Sequence, residues 1–180
     1  MSYNPSKPIA SGSRFASNPL FVNYDRADTG WRPQAMVAGP DGNIYIGSVA
    51  GYGSVNGPLT IWNPRTNKVR KVAGVVPGES VVTLARAGKL IVGGTSIYGG
   101  GGSRPTQKEA RLFIWDPATG RKTFEAAPIA AATRMTDFLA ISYDKIMGIA
   151  SGSGLDIKER SMPLEGAKLF VFDLKTHRTV

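Results

Sequence analysis

The chain has 180 residues, 42% of them hydrophobic, which supports one domain with a real core and argues against disorder. It has no cysteine, which excludes disulfides, zinc–thiolate sites and a cysteine nucleophile, and no apolar run near the roughly 18 residues of a membrane helix, so no membrane partner is expected. The formal charge of +9 attracts polyanions, but Lys and Arg are scattered, so an acidic polysaccharide is a candidate partner, nucleic acid a weaker one, and a basic soluble surface the plainest reading.

In chain order, Met1-Ser2-Tyr3-Asn4-Pro5 lacks the basic-then-apolar layout of a secretory signal, which leaves the compartment open. Tyr3-Asn4-Pro5-Ser6-Lys7 is instead the first copy of a turn that returns as Trp62-Asn63-Pro64-Arg65-Thr66-Asn67, Trp115-Asp116-Pro117-Ala118-Thr119-Gly120 and Phe172-Asp173-Leu174-Lys175-Thr176-His177. The copies are spaced by roughly 55 residues, near the ~40–50 residues of a propeller blade plus a longer loop. An apolar strand ends in the aromatic, Asn or Asp opens the turn by bonding its own backbone, and the last slot (Asn67, Gly120, His177) requires φ > 0.

Upstream of each turn lies a tight hairpin leading into a strand of small and β-branched residues: Asp41–Ser48, Ala87–Gly94 and Tyr143–Ala150, aligned in that order. Ala35-Met36-Val37-Ala38, Val81-Val82-Thr83-Leu84-Ala85 and Phe138-Leu139-Ala140-Ile141 precede these and suit innermost strands. For the second blade the pattern predicts strands near 80–86, 89–95, 111–115 and 121–125, with the glycines of the second strand placed where backbones approach closely. The expected fold is all-β, a β-propeller fragment of about three four-stranded antiparallel blades plus one extra outer strand near Leu20-Phe21-Val22. Residues 1–30 form the outer strand and linker of a preceding blade, and 31–73, 74–127 and 128–180 one blade each. A β-sandwich is the alternative, and the repeated turn argues against it. Since a ring needs about four blades, the missing ones are expected from a longer parent chain or from an oligomer.

Ligands of such a fold bind at one mouth of the central channel, where the connections between second and third strands gather. Those connections are long here, about 49–58, 97–110 and 151–167, and long loops carry function more often than short ones. They hold Tyr52; Tyr98, Arg104, Lys108 and Glu109; and Asp156, Lys158, Glu159 and Arg160. The connections between blades add Trp31, Arg32 and Gln34, then Glu79 and Ser80, then Arg134 and Asp137. Trp31, Arg32, Tyr52, Ser80, Tyr98, Arg104 and Arg134 are the candidate ligand-binding set, because aromatic faces stack on sugar rings and arginine grips carboxylates in bidentate fashion.

Catalytic roles find less support. His177 is the single histidine and occupies a turn slot, so no histidine triad, HExxH motif or histidine metal cluster can form, and no metal site is expected. Gly99-Gly100-Gly101-Gly102-Ser103-Arg104 lacks the Gly-Lys-Ser/Thr of a phosphate cradle and suggests a flexible loop tip. Asp156 and Glu159 are calcium-type ligands without an EF-hand or a glycine–aspartate repeat around them. A lyase would use Tyr52 or Tyr98 with Arg104 or Arg134, the cation lowering a phenol pKa of about 10.

The stretches Gly39–Ser48, Gly51-Tyr52-Gly53, Gly94–Gly100 and Leu112–Gly120 resemble bacterial propeller proteins of the WD/YVTN-repeat, quinoprotein-dehydrogenase-like superfamily, over about 31–180. That resemblance implies the propeller fold. It spans scaffolds, sugar-acting enzymes and redox enzymes, and some relatives belong to large bacterial proteins of polysaccharide breakdown, which implies carbohydrate as a ligand. Asp-Pro-Ala-Thr-Gly is similar to turns of pyrroloquinoline-quinone dehydrogenases in the turn alone, so no cofactor is expected. The leading expectation is therefore a non-catalytic recognition propeller for carbohydrate within a larger bacterial protein. A polysaccharide lyase acting on uronate chains and a protein-interaction scaffold are the alternatives.

Overall fold

The computed structural model describes residues 4–8, 18, 32–152 and 166–180. Among them lie twelve β-strands and no helix. The first sheet runs β1 (Arg32–Ala38), β2 (Ile44–Val49), β3 (Leu59–Asn63) and β4 (Lys68–Val72), each strand antiparallel to the next. The second repeats this with β5 (Ser80–Ala87), β6 (Leu90–Ser96), β7 (Leu112–Asp116) and β8 (Arg121–Ala126). The third follows with β9 (Arg134–Ala140), β10 (Lys145–Ser151), β11 (Ala167–Asp173) and the short β12 (Arg178–Thr179). The outer strand expected near 20–22 lies outside the described residues.

These are three consecutive blades. The first strand of each is innermost, and β5 packs between β1 and β9. A single backbone pair, Ser96 with Arg134, joins β6 to β9. The repeated turn is the same device each time. The Asx oxygen accepts a backbone N–H two residues on, at 2.9 Å, in Asn4–Ser6, Asn63–Arg65, Asp116–Ala118 and Asp173–Lys175. The closing slot has φ of 55° at Asn67, 64° at Gly120 and 57° at His177, as the residue types require. The side chain of Asn18, buried, accepts from the Asn4 amide and donates to the carbonyls of Asn4, Lys7 and Pro8, holding the first copy of the turn.

Strand pairing corrects one alignment. Gly47 stands opposite Leu59, Gly94 opposite Leu112 and Ile149 opposite Leu169, so the second hairpin is one residue tighter than the first. Gly94, not Gly93, is therefore the counterpart of Gly47. The glycines of the second strands serve two kinds of neighbour: a Cβ on Gly47 would sit 2.9 Å from the backbone carbonyl of Val81 in the inner strand β5, the close backbone approach expected. A Cβ on Gly93 would sit 2.1 Å from the Phe113 ring and one on Gly148 2.5 Å from the Phe170 ring, so at these two an aromatic of the next strand takes the space.

The core lies between blades. Tyr45, Ile61 and Arg70, side by side across β2, β3 and β4, face Ile91, Trp115 and Lys122 of the second blade. One blade further on, the corresponding rows are Val92, Ile114 and Phe124 against Ile146 and Phe172. Burying a side chain of this size stabilises the fold by about 1.5–3 kcal/mol, so these junctions hold the arc together.

Candidate functional site

At the mouth end, the β2–β3 and β6–β7 loops and the connections entering β5 and β9 meet. The long loops are sewn together rather than free. The Gly100 amide donates to Ser54 O at 3.1 Å and the Gly53 amide to Gly101 O at 3.1 Å. A Cβ on Gly99 would stand 1.8 Å from Ser54 O, and one on Gly100 2.1 Å from Gly51 O. Gly99 and Gly100 thus pack backbone to backbone, whereas Gly102, at a φ of 75°, stands in open space at the tip. Asn56 Oδ1 accepts from the Gly78 amide at 2.7 Å, Gln107 Nε2 donates to Pro77 O, and Glu109 Oε1 accepts from the Ala131 amide at 2.8 Å.

Each innermost strand carries one β-bulge at the same level. The unpaired residues are Gln34 in β1, Val82 in β5 and Thr136 in β9. Bulges re-aim side chains, and here they sit one turn of the pleat inside the mouth. Arg32, Ser80 and Arg134 occupy equivalent positions, paired with Val49, Ser96 and Ser151 at the mouth end of each blade. Three of the expected binding residues therefore form one set around the axis.

Their environments differ. Arg32 is exposed. Ser80 is buried, its Oγ accepting from the Ala50 amide at 3.4 Å and donating to Val55 O at 3.2 Å, so it ties the first long loop to β5 beneath the rim. Arg134 is half-buried and reaches from the third blade to the first, Nη2 donating to Gln34 Oε1 at 3.3 Å. Its Nη1 is buried with no hydrogen-bond partner. Burial lowers the guanidinium pKa, yet arginine keeps its charge in proteins.

Around this set, Tyr52 is 71% exposed, its ring lying on Gly101. Tyr98 is half-buried against the core between the second and third blades. Arg104 and Lys108 are exposed on the same loop. Asp137 is exposed and accepts from the Phe138 amide at 2.8 Å. Trp31, Asp156, Lys158, Glu159 and Arg160 lie outside the described residues. Among the described residues no group of three His, Cys, Asp or Glu is placed to hold a metal ion.

Glu79 behaves unlike a rim residue. Its side chain is wholly buried. Thr95 Oγ1 donates to Oε2, the Arg111 amide donates to the same oxygen at 3.2 Å, and the Arg111 guanidinium stands 3.8 Å from Oε1, which has no hydrogen bond. Burial pushes its carboxyl up to about 7, against the pull of Thr95 and Arg111. Arg111 continues to Glu125, Glu125 to Lys122, and Lys122 Nζ donates to Val75 O at 2.5 Å. Sequence reasoning missed Arg111, Glu125 and Lys122, because nothing local marks that Arg111 meets Glu79 and Glu125 from other strands.

No protein-family model matches the chain, and no curated protein matches it. Among solved structures, the chain is similar to one described as the structure of the Dos1 propeller, with a TM-score of 0.51 and 11% identity. The likeness covers 76% of this chain and 29% of that one, so the chain spans under a third of that propeller's length. At such identity the likeness bears on fold alone. It agrees with the four-stranded blades, their shared turn and their common inner edge: this chain is a β-propeller, described over three blades.

Proposed function

We propose that the chain is a non-catalytic recognition propeller whose mouth takes a uronate-bearing polysaccharide, as part of a larger bacterial protein. The reading is carried by Arg134, a guanidinium held across the axis by Gln34 with its buried Nη1 unpaired. A guanidinium held in place at the mouth is the group that grips a carboxylate as a charge-assisted pair. Arg32 at the equivalent position of the first blade adds a second cation. Tyr52 offers an exposed ring on a braced loop, the kind of face on which sugar rings stack. The resemblance to the WD/YVTN-repeat, quinoprotein-dehydrogenase-like superfamily belongs to this proposal as well.

Binding of polygalacturonate, alginate and neutral amylose, measured by calorimetry at fixed salt, tests it. Arg134→Gln weakens the acidic polymers by about tenfold or more, the scale of one charged hydrogen bond. Arg86→Gln removes an equal charge from an exposed position at the far end of β5 and leaves binding within about twofold, the scale of a surface charge. Equal loss in both variants, or none in Arg134→Gln, overturns the reading. A rise in absorbance from unsaturated product during the same incubations replaces recognition with lyase activity. Capture of a stable protein partner with no polymer binding replaces it with a scaffold.

A further inference from the structure

The second long mouth loop leaves β6 and enters β7 through a neck that one hydroxyl organises. Thr95 and Arg111 stand on either side of it, the Thr95 amide donating to Arg111 O at 3.0 Å. Thr95 Oγ1 has three polar neighbours: the Arg111 amide at 2.8 Å, Arg111 O at 2.9 Å and Glu79 Oε2. Glu79 is the residue before β5, and Ser80 beside it ties down the first long loop. A buried acid therefore stands at the roots of both loops.

The protons at this point can be counted. A hydroxyl gives one hydrogen bond and accepts two. Toward Thr95 Oγ1 the Arg111 amide can only donate, and Arg111 O can only accept. Every bond is filled only if the third partner, Glu79 Oε2, donates as well, and for that Glu79 must carry a proton. An ionised carboxylate only accepts. It competes with Arg111 O for the single Thr95 proton, and its other oxygen, Oε1, is buried with no donor. Leaving half a carboxylate unpaired costs more than leaving the carbonyl oxygen of a neutral acid unpaired. The charged groups facing Glu79 are Arg111 at the entry to β7 and Glu125 on β8, with Lys122 beyond Glu125. The Arg111 guanidinium lies 3.8 Å from Oε1 and 3.4 Å from Glu125, and at 39% exposure it has room to turn between them. Burial pushes the Glu79 carboxyl up to about 7, so both of its forms are reached near neutrality.

We propose that Glu79 is a proton-operated latch on the mouth loops. With its proton, Glu79 donates to Thr95, Thr95 donates to Arg111 O, and the neck of the second loop is tied. Loss of that proton to solvent turns the Thr95 hydroxyl to donate to Oε2. Its bond to Arg111 O is released, and the Arg111 guanidinium is drawn from Glu125 onto Oε1. The second loop is hydrogen-bonded to the first through Gly100 with Ser54 and Gly53 with Gly101, so both loops respond to the neck. The latch belongs to the chain alone and stands whether or not the mouth takes a polysaccharide.

NMR from about pH 5 to 8.5 tests it, following the glutamate carboxyl carbons, the arginine Nε–H signals and the backbone amides. The Glu79 carboxyl, assigned by its loss in Glu79→Gln, titrates near 7. The amides of Thr95, Arg111 and the loop between them shift with the same midpoint, as does the Arg111 Nε–H. In Glu79→Gln these amides show no step. Glu125→Gln removes a repelling charge and the competitor for Arg111, so the midpoint falls by roughly half a unit, the scale of a partly exposed charge pair. Histidine is the other side-chain type that titrates in this range. His177→Asn, which puts at that turn the residue Asn67 shows at a φ of 55°, leaves the step in place. A Glu79 carboxyl already ionised at the acid end, a titration that leaves the loop amides still, a step that survives Glu79→Gln, or a midpoint that Glu125→Gln does not lower overturns the latch.

Discussion

Glu79→Gln isolates the energetics of the buried acid at the start of β5. In the folded chain the carboxyl titrates near 7, against 4.5 for an unperturbed glutamate. The folded state therefore holds its proton more tightly than the unfolded state, and stability falls as pH rises from 4.5 through 7. The gap corresponds to about 3 kcal/mol of stability present in acid and lost above pH 7. The side chain is wholly buried and its main counter-charge, Arg111, is 39% exposed, so solvent weakens the compensation. Glutamine keeps the shape, accepts the Thr95 hydroxyl and never ionises. Urea unfolding across pH 5 to 8.5 should show both proteins alike at the acid end. Above neutrality the variant should be more stable by up to about 3 kcal/mol, or roughly 6–12 °C in melting temperature. Identical pH profiles in the two proteins would refute the assignment of the titration to Glu79.

Phe124→Ala removes the ring that closes the junction between the second and third blades against Phe172 and His177. It should cost about 3 kcal/mol in urea unfolding. Gly99→Ala forces a methyl into Ser54 O and should spread the two mouth loops, read as faster amide exchange across 51–55 and 97–102 with the strands unchanged. Ile149 and Leu169, paired across β10 and β11, are 38% and 68% exposed, so Leu169→Lys should lower dye binding to exposed apolar surface, and unchanged dye binding would count against this patch.

The repeat was legible because its chemistry is local. An aromatic, an Asx that bonds two residues on and a slot for positive φ recur in each copy, and the structure shows the same 2.9 Å bond four times. The strands of the second blade fall within about two residues of their expected limits, the usual uncertainty at strand ends. The one-residue shift of the second hairpin was hidden, because Gly93 and Gly94 are adjacent and only pairing tells which faces Leu112. At the end of the sheets where the long loops meet, residue types did not give the accessibility of each group. Ser80 and Glu79 look polar and exposed in sequence, yet they are buried because β5 lies between the inner strands of its neighbours.

The junctions between blades were the least legible feature, since each is built from residues about 50 positions apart. Arg70 and Gly120 say nothing separately. Only the fan of sheets sets them in the corner that Phe124 and His177 occupy one blade later. That difference has a physical consequence. The second junction is an aromatic contact, with Phe124 stacked on His177 and close to Phe172. The first leans on charge: Arg70 over Trp115, and the chain of Glu79, Arg111, Glu125 and Lys122 that ends on Val75 in its core. Raising the pH through 7 ionises Glu79 beside this junction. A buried acid that ionises near neutrality therefore stands beside the contact of the first two blades, joined to it through Arg111, Glu125 and Lys122.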